Sequence, residues 1–435
     1  MSTIQIALLA LAVMLLLGMP IFMTLVIAAT VSLLFGASGL PLSLVHNALF
    51  EGINIFTLLA IPCFVVAGAL MEYGNITHQI INIAKMICGR AYGGLGITTI
   101  LACTFFAAIS GSGPGTVAAV GTLMVPAMIK NGYSRDYAAA AASSGGTIGI
   151  MIPPSNPMII YAILGNLSVT GMFTAGFIPG FFVAACMMST AYFIARRKGF
   201  KGDADTPPFN LKTFIRVCFF SKSFFSMMTP VIILGSIYSG YATPVEASVV
   251  AIMYALFVGF IVNRSLRPKH LYAALLEGVM TCGTVIIIVG SSTLFGKILT
   301  YEQAPLMLAN AIFQFTHNPT VVLLLIIALL YLLGMFMETL STLIILVPVL
   351  LPVIIQLGID PIHFGVILVL TNETALLTPP LGVNIFVSSR IAGISVERNA
   401  MAVLPYVATL TFCVLTITFF PAMATWLPKV LGYVV

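Results

Sequence analysis

Two glutamates, Glu338 and Glu373, lie in the apolar stretches "GMFMETLSTLIILVPVLLP" and "TNETALLTPPLGVN". A carboxylate inside a bilayer costs about 2.5–3.5 kcal/mol or more, so one that is kept there usually binds a cation or a polar ligand. Glu338 stands beside a predicted turn between two helices, and Glu373 precedes a double proline. Both positions therefore indicate a functional site inside a membrane-embedded chain.

The first half of the chain carries a matching pair of interruptions, "AISGSGPGTVAAVG" and "SSGGTIGIMIPPSNP". Proline removes a backbone donor and frees a carbonyl, and glycine lets two backbones approach closely. Non-helical backbone is tolerated at membrane depth only where it is buried in protein or lines a cavity. Freed carbonyls and hydroxyls can hold a small hard cation, and half-helix N-termini can face an anion. We therefore predict that the four interruptions meet at one central site for a cation and a carboxylate.

The elements that position these residues are predicted membrane helices. Of the 435 residues, 60% are hydrophobic and 7% are charged, and the mean hydropathy is +1.13. Soluble domains carry about 25% charged residues. Apolar runs of about 20 residues, the length that spans a bilayer, recur along the chain without the alternation of β-barrel strands. The predicted fold class is an all-α polytopic membrane protein, whose N-terminus is expected to be the first span and not a cleavable signal peptide.

The predicted segments fall into three kinds. Spans and broken spans are expected at 4–18, 20–36, 54–72, 136–165, 170–195, 223–240, 244–263, 280–297, 361–391 and 397–427. Interfacial amphipathic helices are expected at 75–90 and 302–317, and re-entrant hairpins at 93–131 and 319–356. With the N-terminus outside, every basic residue except Lys297 and Lys429 faces the cytoplasm. The positive-inside rule favours this orientation.

An internal repeat relates the two halves of the chain. An offset of 226 residues places Pro126 on Pro352 and Pro179 on Pro405, and it also aligns the two double prolines. An odd number of predicted crossings separates the two hairpins, so the halves have opposite orientations. Inverted repeats with broken helices are a signature of secondary transporters. The predicted domains are repeat 1 over 1–195 with scaffold helices in 1–72, a basic cytoplasmic linker over 196–222, and repeat 2 over 223–435 with scaffold helices in 223–297.

Four motifs, in chain order, resemble a known family: "SGSGPGTVAAVG", "IGIMIPPSNPMIIY", "GMFMETLSTLIILVPVLLP" and "LLTPPLGVNIF". They are similar to the large membrane subunit, the M or DctM-type permease, of tripartite ATP-independent periplasmic (TRAP) transporters, and the resemblance covers essentially the full chain. The serine-rich first hairpin tip is similar to that of sialic-acid systems, while C4-dicarboxylate systems share most of the pattern. The family often has an aspartate where this chain has Glu338.

The resemblance implies an elevator mechanism in the bacterial inner membrane, with sodium-coupled uptake of a small carboxylated substrate. It also implies two protein partners, a small four-helix membrane subunit of the Q or DctQ type and a soluble periplasmic substrate-binding protein. Membrane lipid is the remaining expected partner.

The candidate site residues flank the interruptions in both halves. The expected substrate ligands are Ser110, Ser112, Ser155, Asn156, Glu338 and Asn384. The expected sodium ligands are Gly111, Gly113, Gly145, Gly146, Thr147, Thr339, Ser341, Thr342, Thr371, Asn372, Glu373 and Thr374. The serines have a structural alternative, since serine bonds back to local carbonyls or caps a helix. For the glycines the alternative is close helix packing through small residues.

Other functions are excluded or disfavoured by the sequence. The segment "GSGPGT" lacks the lysine of a phosphate-binding loop, so no ATPase activity is expected. No His/Cys cluster suits a metal other than sodium, and the basic linker determines topology rather than binding nucleic acid. Two alternatives stay open: a stand-alone sodium–anion symporter without a binding protein, and an intramembrane enzyme that uses Glu338 or Glu373 as acid or base. The repeat symmetry argues against the enzyme.

Overall fold

The computed structural model describes residues 2–36, 39–203, 206, 209–316, 318–335, 337–379 and 382–433, and the regular elements among them are helices. Pro380, the second proline of the double proline in the second half, lies outside these residues. The helices of the first half are α1 Thr3–Leu16, α2 Ile21–Phe35, α3 Ser43–Ile53, α4 Ala60–Tyr73, α5 Ile76–Cys88, α6 Gly94–Ser110, α7 Gly113–Lys130, α8 Arg135–Ile148, α9 Asn156–Leu164 and α10 Val169–Lys198.

The second half follows a short helix in the basic linker. The remaining helices are α11 Leu211–Phe220, α12 Ser223–Tyr238, α13 Pro244–Phe257, α14 Pro268–Tyr301, α15 Ala304–Phe315, α16 Pro319–Gly334, α17 Thr339–Gln356, α18 Pro361–Ala375, α19 Val383–Ala392, α20 Val396–Phe419 and α21 Ala422–Val430. A 3-10 turn, Phe56–Leu59, precedes α4, and a π turn, Val258–Val262, continues α13.

The predicted repeat is present in the helix boundaries and in the hydrogen bonds. The 226-residue offset carries both ends of α7 onto the ends of α17. The Tyr137 hydroxyl donates to the Ala191 carbonyl at 3.0 Å, and at the offset positions His363 Nε2 lies 2.8 Å from the Ile417 carbonyl oxygen. The offset therefore relates three-dimensional structure as well as sequence.

Two hydrogen bonds connect the broken helices of the two halves in a reciprocal way. Arg135 Nη1, where α8 begins, donates to the Ala392 carbonyl at 3.2 Å, where α19 ends. The Tyr161 hydroxyl, near the end of α9, donates to the Pro361 carbonyl at 2.6 Å, where α18 begins. In each half, the start of the broken helix therefore bonds near the end of the broken helix of the other half. Inverted repeats are expected to have this arrangement.

Helix pairs with short breaks occupy the segments predicted as hairpins and broken helices. α6 and α7 occupy the hairpin at 93–131, and α16 and α17 occupy the hairpin at 319–356. α8 and α9 form the broken helix at 136–165, and α18 and α19 form the one at 361–391. Gly18, with φ of +71°, separates α1 from α2, so the predicted spans 4–18 and 20–36 are two helices.

Several predicted boundaries are wrong. The span predicted at 280–297 is the second part of α14, which is 34 residues long. The segment predicted as 397–427 ends at Phe419, because Pro421 has no N–H and the residue before a proline avoids helical geometry. Helix α3 precedes the predicted span 54–72, and α11 lies inside the linker predicted over 196–222.

Six of the described helices are long and apolar enough to cross a membrane, or up to seven if the bent pair α11 and α12 forms one span. This count rests on length and composition. Helix α17, which the sequence places in a re-entrant hairpin, is among the six. Its length alone therefore does not separate a re-entrant helix from a crossing one.

Candidate functional site

The tip of the first hairpin is a sharp turn between α6 and α7. Gly111 adopts φ of +60°, which glycine tolerates without strain. Ser112 caps α7 by accepting from the Gly115 N–H at 3.4 Å, and its carbonyl accepts from the Thr116 hydroxyl at 2.8 Å. The Ser110 and Thr116 hydroxyls lie 2.8 Å apart. The tip is therefore held by its own hydroxyls, and Ser112 acts as a helix cap, a role that the sequence does not single out for it.

The same tip contacts the interruption between α8 and α9. The Asn156 N–H donates to the Gly111 carbonyl at 3.3 Å. A Cβ atom added at Gly111 would lie 2.7 Å from the Pro154 carbonyl oxygen, so only glycine fits. Ser155 is buried and caps α9 by accepting from the Met158 N–H at 3.4 Å. The two interruptions of the first half thus form one continuous unit.

In the second half, α17 and α18 meet through the buried carboxylate of Glu373. The Thr339 hydroxyl donates to Glu373 Oε1 at 2.7 Å, and Asn372 Nδ2 donates to the Thr339 carbonyl at 3.4 Å. Glu373 is 3% exposed. At the positions 226 residues earlier, Gly113 in α7 approaches Gly146 in α8, so that approach is the offset equivalent of the contact between Thr339 and Asn372.

The two halves converge at Gly113. A Cβ atom added there would lie 3.0 Å from Glu373 Oε2, 3.3 Å from the Gly146 carbonyl oxygen and 3.4 Å from Asn384 Nδ2. The first tip, both broken helices and the Glu373 carboxylate therefore lie around one point. An alanine at this point would force the Glu373 carboxylate to shift by a few tenths of an ångström.

Buried polar atoms without a hydrogen-bond partner cluster around the same interruptions. An unpaired buried polar group costs free energy, so these atoms are free to bind a water molecule or a ligand. The side-chain atoms in this condition are Ser144 Oγ, Thr147 Oγ1, Asn156 Oδ1, Thr371 Oγ1, Asn372 Oδ1, Glu373 Oε2, Asn384 Oδ1 and Asn384 Nδ2. All but one are oxygens, the ligand type that a small hard cation prefers. The donor set fits the predicted sodium ion.

Some predicted residues take structural roles instead. Gly145 packs against α6, since an added Cβ would lie 2.8 Å from Cys103 Sγ, so the packing alternative holds there. The Thr374 hydroxyl bonds back to the Leu370 carbonyl at 2.7 Å, and the Thr342 hydroxyl to the Glu338 carbonyl at 3.1 Å. Ser341 is buried in α17 near its start.

Glu338 precedes the Thr339 that hydrogen-bonds to Glu373, and it faces a cavity. It is exposed at the N-cap position of α17 and makes no capping bond. The inner cavity, as we call it, has a volume of about 280 Å³ and is lined by Glu338, Leu340, Ile344, Ile160, Thr281 and Thr284, among others. The hydroxyls of Thr281 and Thr284 are an unpredicted contribution from α14. No sequence signal distinguishes them, because threonine is common in apolar helices.

A second cavity continues along the same three helices. The outer cavity, as we call it, has a volume of about 580 Å³ and is lined by α14, the end of α9, α3 and Pro348 of α17. The Ser292 hydroxyl, on its wall, donates at 2.7 Å to the carbonyl of Ile344, which lines the inner cavity. The two cavities therefore meet at a hydrogen bond between α14 and α17.

Several known proteins are similar to this chain over most of its length. A sequence model of the family "Tripartite ATP-independent periplasmic transporter, DctM component" matches residues 8–423. The chain is 39% identical to the isethionate TRAP transporter permease protein DctMQ of Oleidesulfovibrio alaskensis, over 95% of this chain and 64% of that protein, so it spans less than two thirds of that relative. It is 38% identical to the C4-dicarboxylate TRAP transporter large permease protein DctM of Pseudomonas aeruginosa, over 88% of this chain and 89% of that one.

Two further comparisons concern a sialic acid transporter and a solved structure. The chain is 38% identical to the sialic acid TRAP transporter large permease protein SiaM of Vibrio cholerae, over 96% of each chain. Among solved structures, the Alcanivorax borkumensis YdaH transporter superposes with a TM-score of 0.65 at 15% identity, over 92% of this chain and 91% of that one, a likeness of fold alone. The family match and the identities agree with the geometry of the interruptions, and the chain belongs to the DctM component family of the tripartite ATP-independent periplasmic transporters.

Proposed function

We propose that this chain is the large subunit of a sodium-coupled system that takes up a small carboxylated solute across the bacterial inner membrane. Membership of the family makes it a component of a transporter and not an enzyme. The observation that carries the proposal is the approach of Gly113, in the first half, to the buried Glu373 carboxylate of the second half, whose Oε2 has no hydrogen-bond partner.

Charge balance is the physical reason for the sodium ion. Glu373 is buried, its Oε2 has no hydrogen bond, and no ion pair to it is formed among the described residues. An uncompensated carboxylate in a low-dielectric interior is costly. A sodium ion held by Glu373 and neighbouring oxygens removes that cost, so the site can cross the membrane with less charge.

The substrate anion is assigned to the helix N-termini at the same interruptions. Helices α7, α9, α17 and α19 all begin there, and helix N-termini carry partial positive charge. Ser112 and Ser155 lie at two of these ends and can donate hydroxyl hydrogens to a carboxylate. Glu338 repels a carboxylate and is therefore assigned to hydroxyl or amine groups of the substrate.

Sialic acid and C4-dicarboxylates are the proposed substrate classes, because two of the similar transporters are named for these substrates. A periplasmic binding protein is proposed to deliver the substrate, and a small four-helix subunit to pack against helices in 1–72 and 223–297. The hairpins and broken helices, α6–α9 and α16–α19, are proposed to move across that scaffold as a unit in an elevator step.

Uptake into proteoliposomes tests this function. The purified chain, with its small subunit, is assayed with labelled succinate, N-acetylneuraminate and isethionate, in sodium or choline buffer, with and without the binding protein encoded beside it. We expect that succinate or N-acetylneuraminate, the two carboxylated probes, is taken up, and that this uptake requires an inward sodium gradient and the binding protein and is indifferent to ATP. Uptake of isethionate alone, which carries a sulfonate and no carboxylate, would refute the carboxylated substrate class. Undiminished uptake in choline would refute sodium coupling, and uptake without the binding protein would favour the stand-alone symporter.

Two site variants refine the assay. Glu338→Ala and Ser112→Ala each remove one hydrogen-bonding group, and losing a bond to a charged group costs about 1.5–3 kcal/mol, roughly ten- to a hundredfold in affinity. Both should cripple uptake while the protein inserts and purifies normally. Ser2→Ala, at the chain terminus, is the control and should be without effect. Wild-type uptake by both site variants would place the substrate elsewhere.

A further inference from the structure

The outer cavity contains an ion pair that the proposed site does not use. Lys297 of α14 pairs with Glu51 of α3, and these two are the charged residues among those that line the cavity. Their side chains are 32% and 60% exposed. Because both are accessible from the cavity, the pair can open without disturbing the packing around it.

The position of Lys297 is unusual for a basic residue of this chain. The predicted topology places only Lys297 and Lys429 outside, and Lys429 lines a different cavity, with Asp360 and His363. The wall of the outer cavity runs along α14 from Lys297 toward Thr284 of the inner cavity. That interval of 13 residues corresponds to about 20 Å of helix.

We propose that Lys297 is an entry site that binds the acidic group of the incoming solute before the solute reaches the inner cavity, and that Glu51 competes with the solute for it. The inference rests on the proposed uptake of an organic anion. An ammonium group has three donors on a flexible stem, so it can pass from one carboxylate to another.

The competition explains why such a site releases its ligand. Exchange of the Glu51 carboxylate for the solute carboxylate leaves the number of charges and ion pairs unchanged, so the net gain in free energy is small. Without Glu51, the lone ammonium would hold an anion more tightly. Weak, reversible binding is what a transit site requires.

The two members of the pair should therefore have opposite effects when they are neutralised. In the proteoliposome assay, with whichever of succinate, N-acetylneuraminate and isethionate is taken up, Lys297→Met should lower kcat/KM about two- to fivefold, within the range of single accessible ion pairs. Glu51→Gln should raise kcat/KM about two- to fivefold, on the same scale. Lys429→Met removes the other outward basic residue and should leave kcat/KM unchanged.

A purely structural ion pair would make both variants slower, and that result would overturn the entry site while leaving the proposed function intact. A second measurement does not depend on transport. A cysteine placed by Thr300→Cys, on the wall of the outer cavity, is labelled with a neutral thiol reagent, and labelling at position 300 is quantified by peptide mass spectrometry. Millimolar succinate or isethionate should slow labelling, more so with Glu51→Gln and not at all with Lys297→Met. Equal protection in all three would also overturn the proposal, even if no probe is transported.

Discussion

Ser292 donates its hydroxyl to the backbone carbonyl of Ile344 across 2.7 Å, at the boundary between the inner and outer cavities. The carbonyl is free because Pro348, four residues further along α17, has no N–H to donate. Gly296, one turn along α14 from Ser292, lets Pro348 approach closely, since an added Cβ would lie 3.2 Å from Pro348 Cβ. The two helices are thus joined at the boundary between the two cavities.

Removal of the Ser292 hydroxyl should let the inner and outer cavities open into each other. Ser292→Ala leaves a buried carbonyl unpaired, which costs about 1–3 kcal/mol and favours separation of α14 from α17. A cysteine placed by Thr284→Cys, in the inner cavity, should then react faster with an impermeant thiol reagent added outside. Ser291→Ala is the matched control, because the Ser291 hydroxyl bonds to Ile287 of its own helix at 2.6 Å.

A compensating variant separates this explanation from general loosening. Pro348→Ala supplies the N–H that α17 lacks, so the Ile344 carbonyl keeps a partner when Ser292 is absent. The effect of Ser292→Ala on Thr284→Cys labelling should shrink in the Pro348→Ala background. An undiminished effect would show that the missing N–H is irrelevant to the contact between α14 and α17.

The glycines of the first tip should differ sharply in their tolerance of a methyl group. Gly113→Ala brings a Cβ to 3.0 Å from Glu373 Oε2 and 3.3 Å from the Gly146 carbonyl oxygen, so it displaces the groups assigned to sodium. Apparent sodium affinity in uptake should fall at least about tenfold, the equivalent of one lost charged contact. Gly115→Ala, two residues away, meets only the Ser112 side chain at 3.4 Å or more and should keep wild-type affinity. Equal affinity in the two variants would contradict the assignment.

Neutralising Glu373 should remove the stabilisation that sodium provides. A ligand present at a hundred times its Kd stabilises a native state by about 2.7 kcal/mol, so the wild type should melt at a higher temperature in sodium than in choline. Glu373→Gln should melt at the same temperature in both salts, while folding normally, because a buried amide is easier to accommodate than a charge. Glu397→Gln, on an exposed helix start, should keep the sodium effect. Retention of that effect by Glu373→Gln would locate the ion elsewhere.

The repeat-related bonds of Tyr137 and His363 should contribute to stability and not to ion binding. Tyr137→Phe removes the donor to Ala191 and should cost about 0.5–1.5 kcal/mol, seen as a lower melting temperature with an unchanged shift between sodium and choline. Tyr241→Phe, on a side chain that is 92% exposed, should have no effect. A loss of the sodium-dependent shift in Tyr137→Phe would connect this bond to the ion site.

The sequence predicts the interruptions well because their signals are local. Glycine, proline and serine act on the backbone within a few residues, so the hairpin around Ser112 and the break before Ser155 can be located without a structure. The offset is also visible, since prolines are sparse. By contrast, the equivalence of Tyr137 and His363 is not visible in the sequence. The two residues are of different types, and the acceptor of each bond is a backbone carbonyl, which carries no sequence signal.

The sequence does not predict which atoms that are distant along the chain come into contact, or how far α14 extends. The approach of Gly113 to Glu373 depends on the packing of both halves and has no local signal. Helix α14 is predicted too short, since Lys269 and Glu277 lower the hydropathy of its first part. Hydropathy detects the portion of a helix that suits the hydrocarbon core, whereas hydrogen bonding decides how far the helix extends.

Because α14 is long, we expect its tilt to depend on the thickness of the bilayer. Its 34 residues correspond to about 51 Å of helix, against a hydrocarbon core of about 30 Å. A helix with this excess responds to thinner or thicker lipid by changing its tilt. Ser292, Gly296 and Lys297 all lie on α14, so a change in tilt shifts the Ser292 contact and the entry site together relative to α17. We therefore expect acyl-chain length in the surrounding membrane to act on the contacts of Ser292 and Lys297, without a change in any residue.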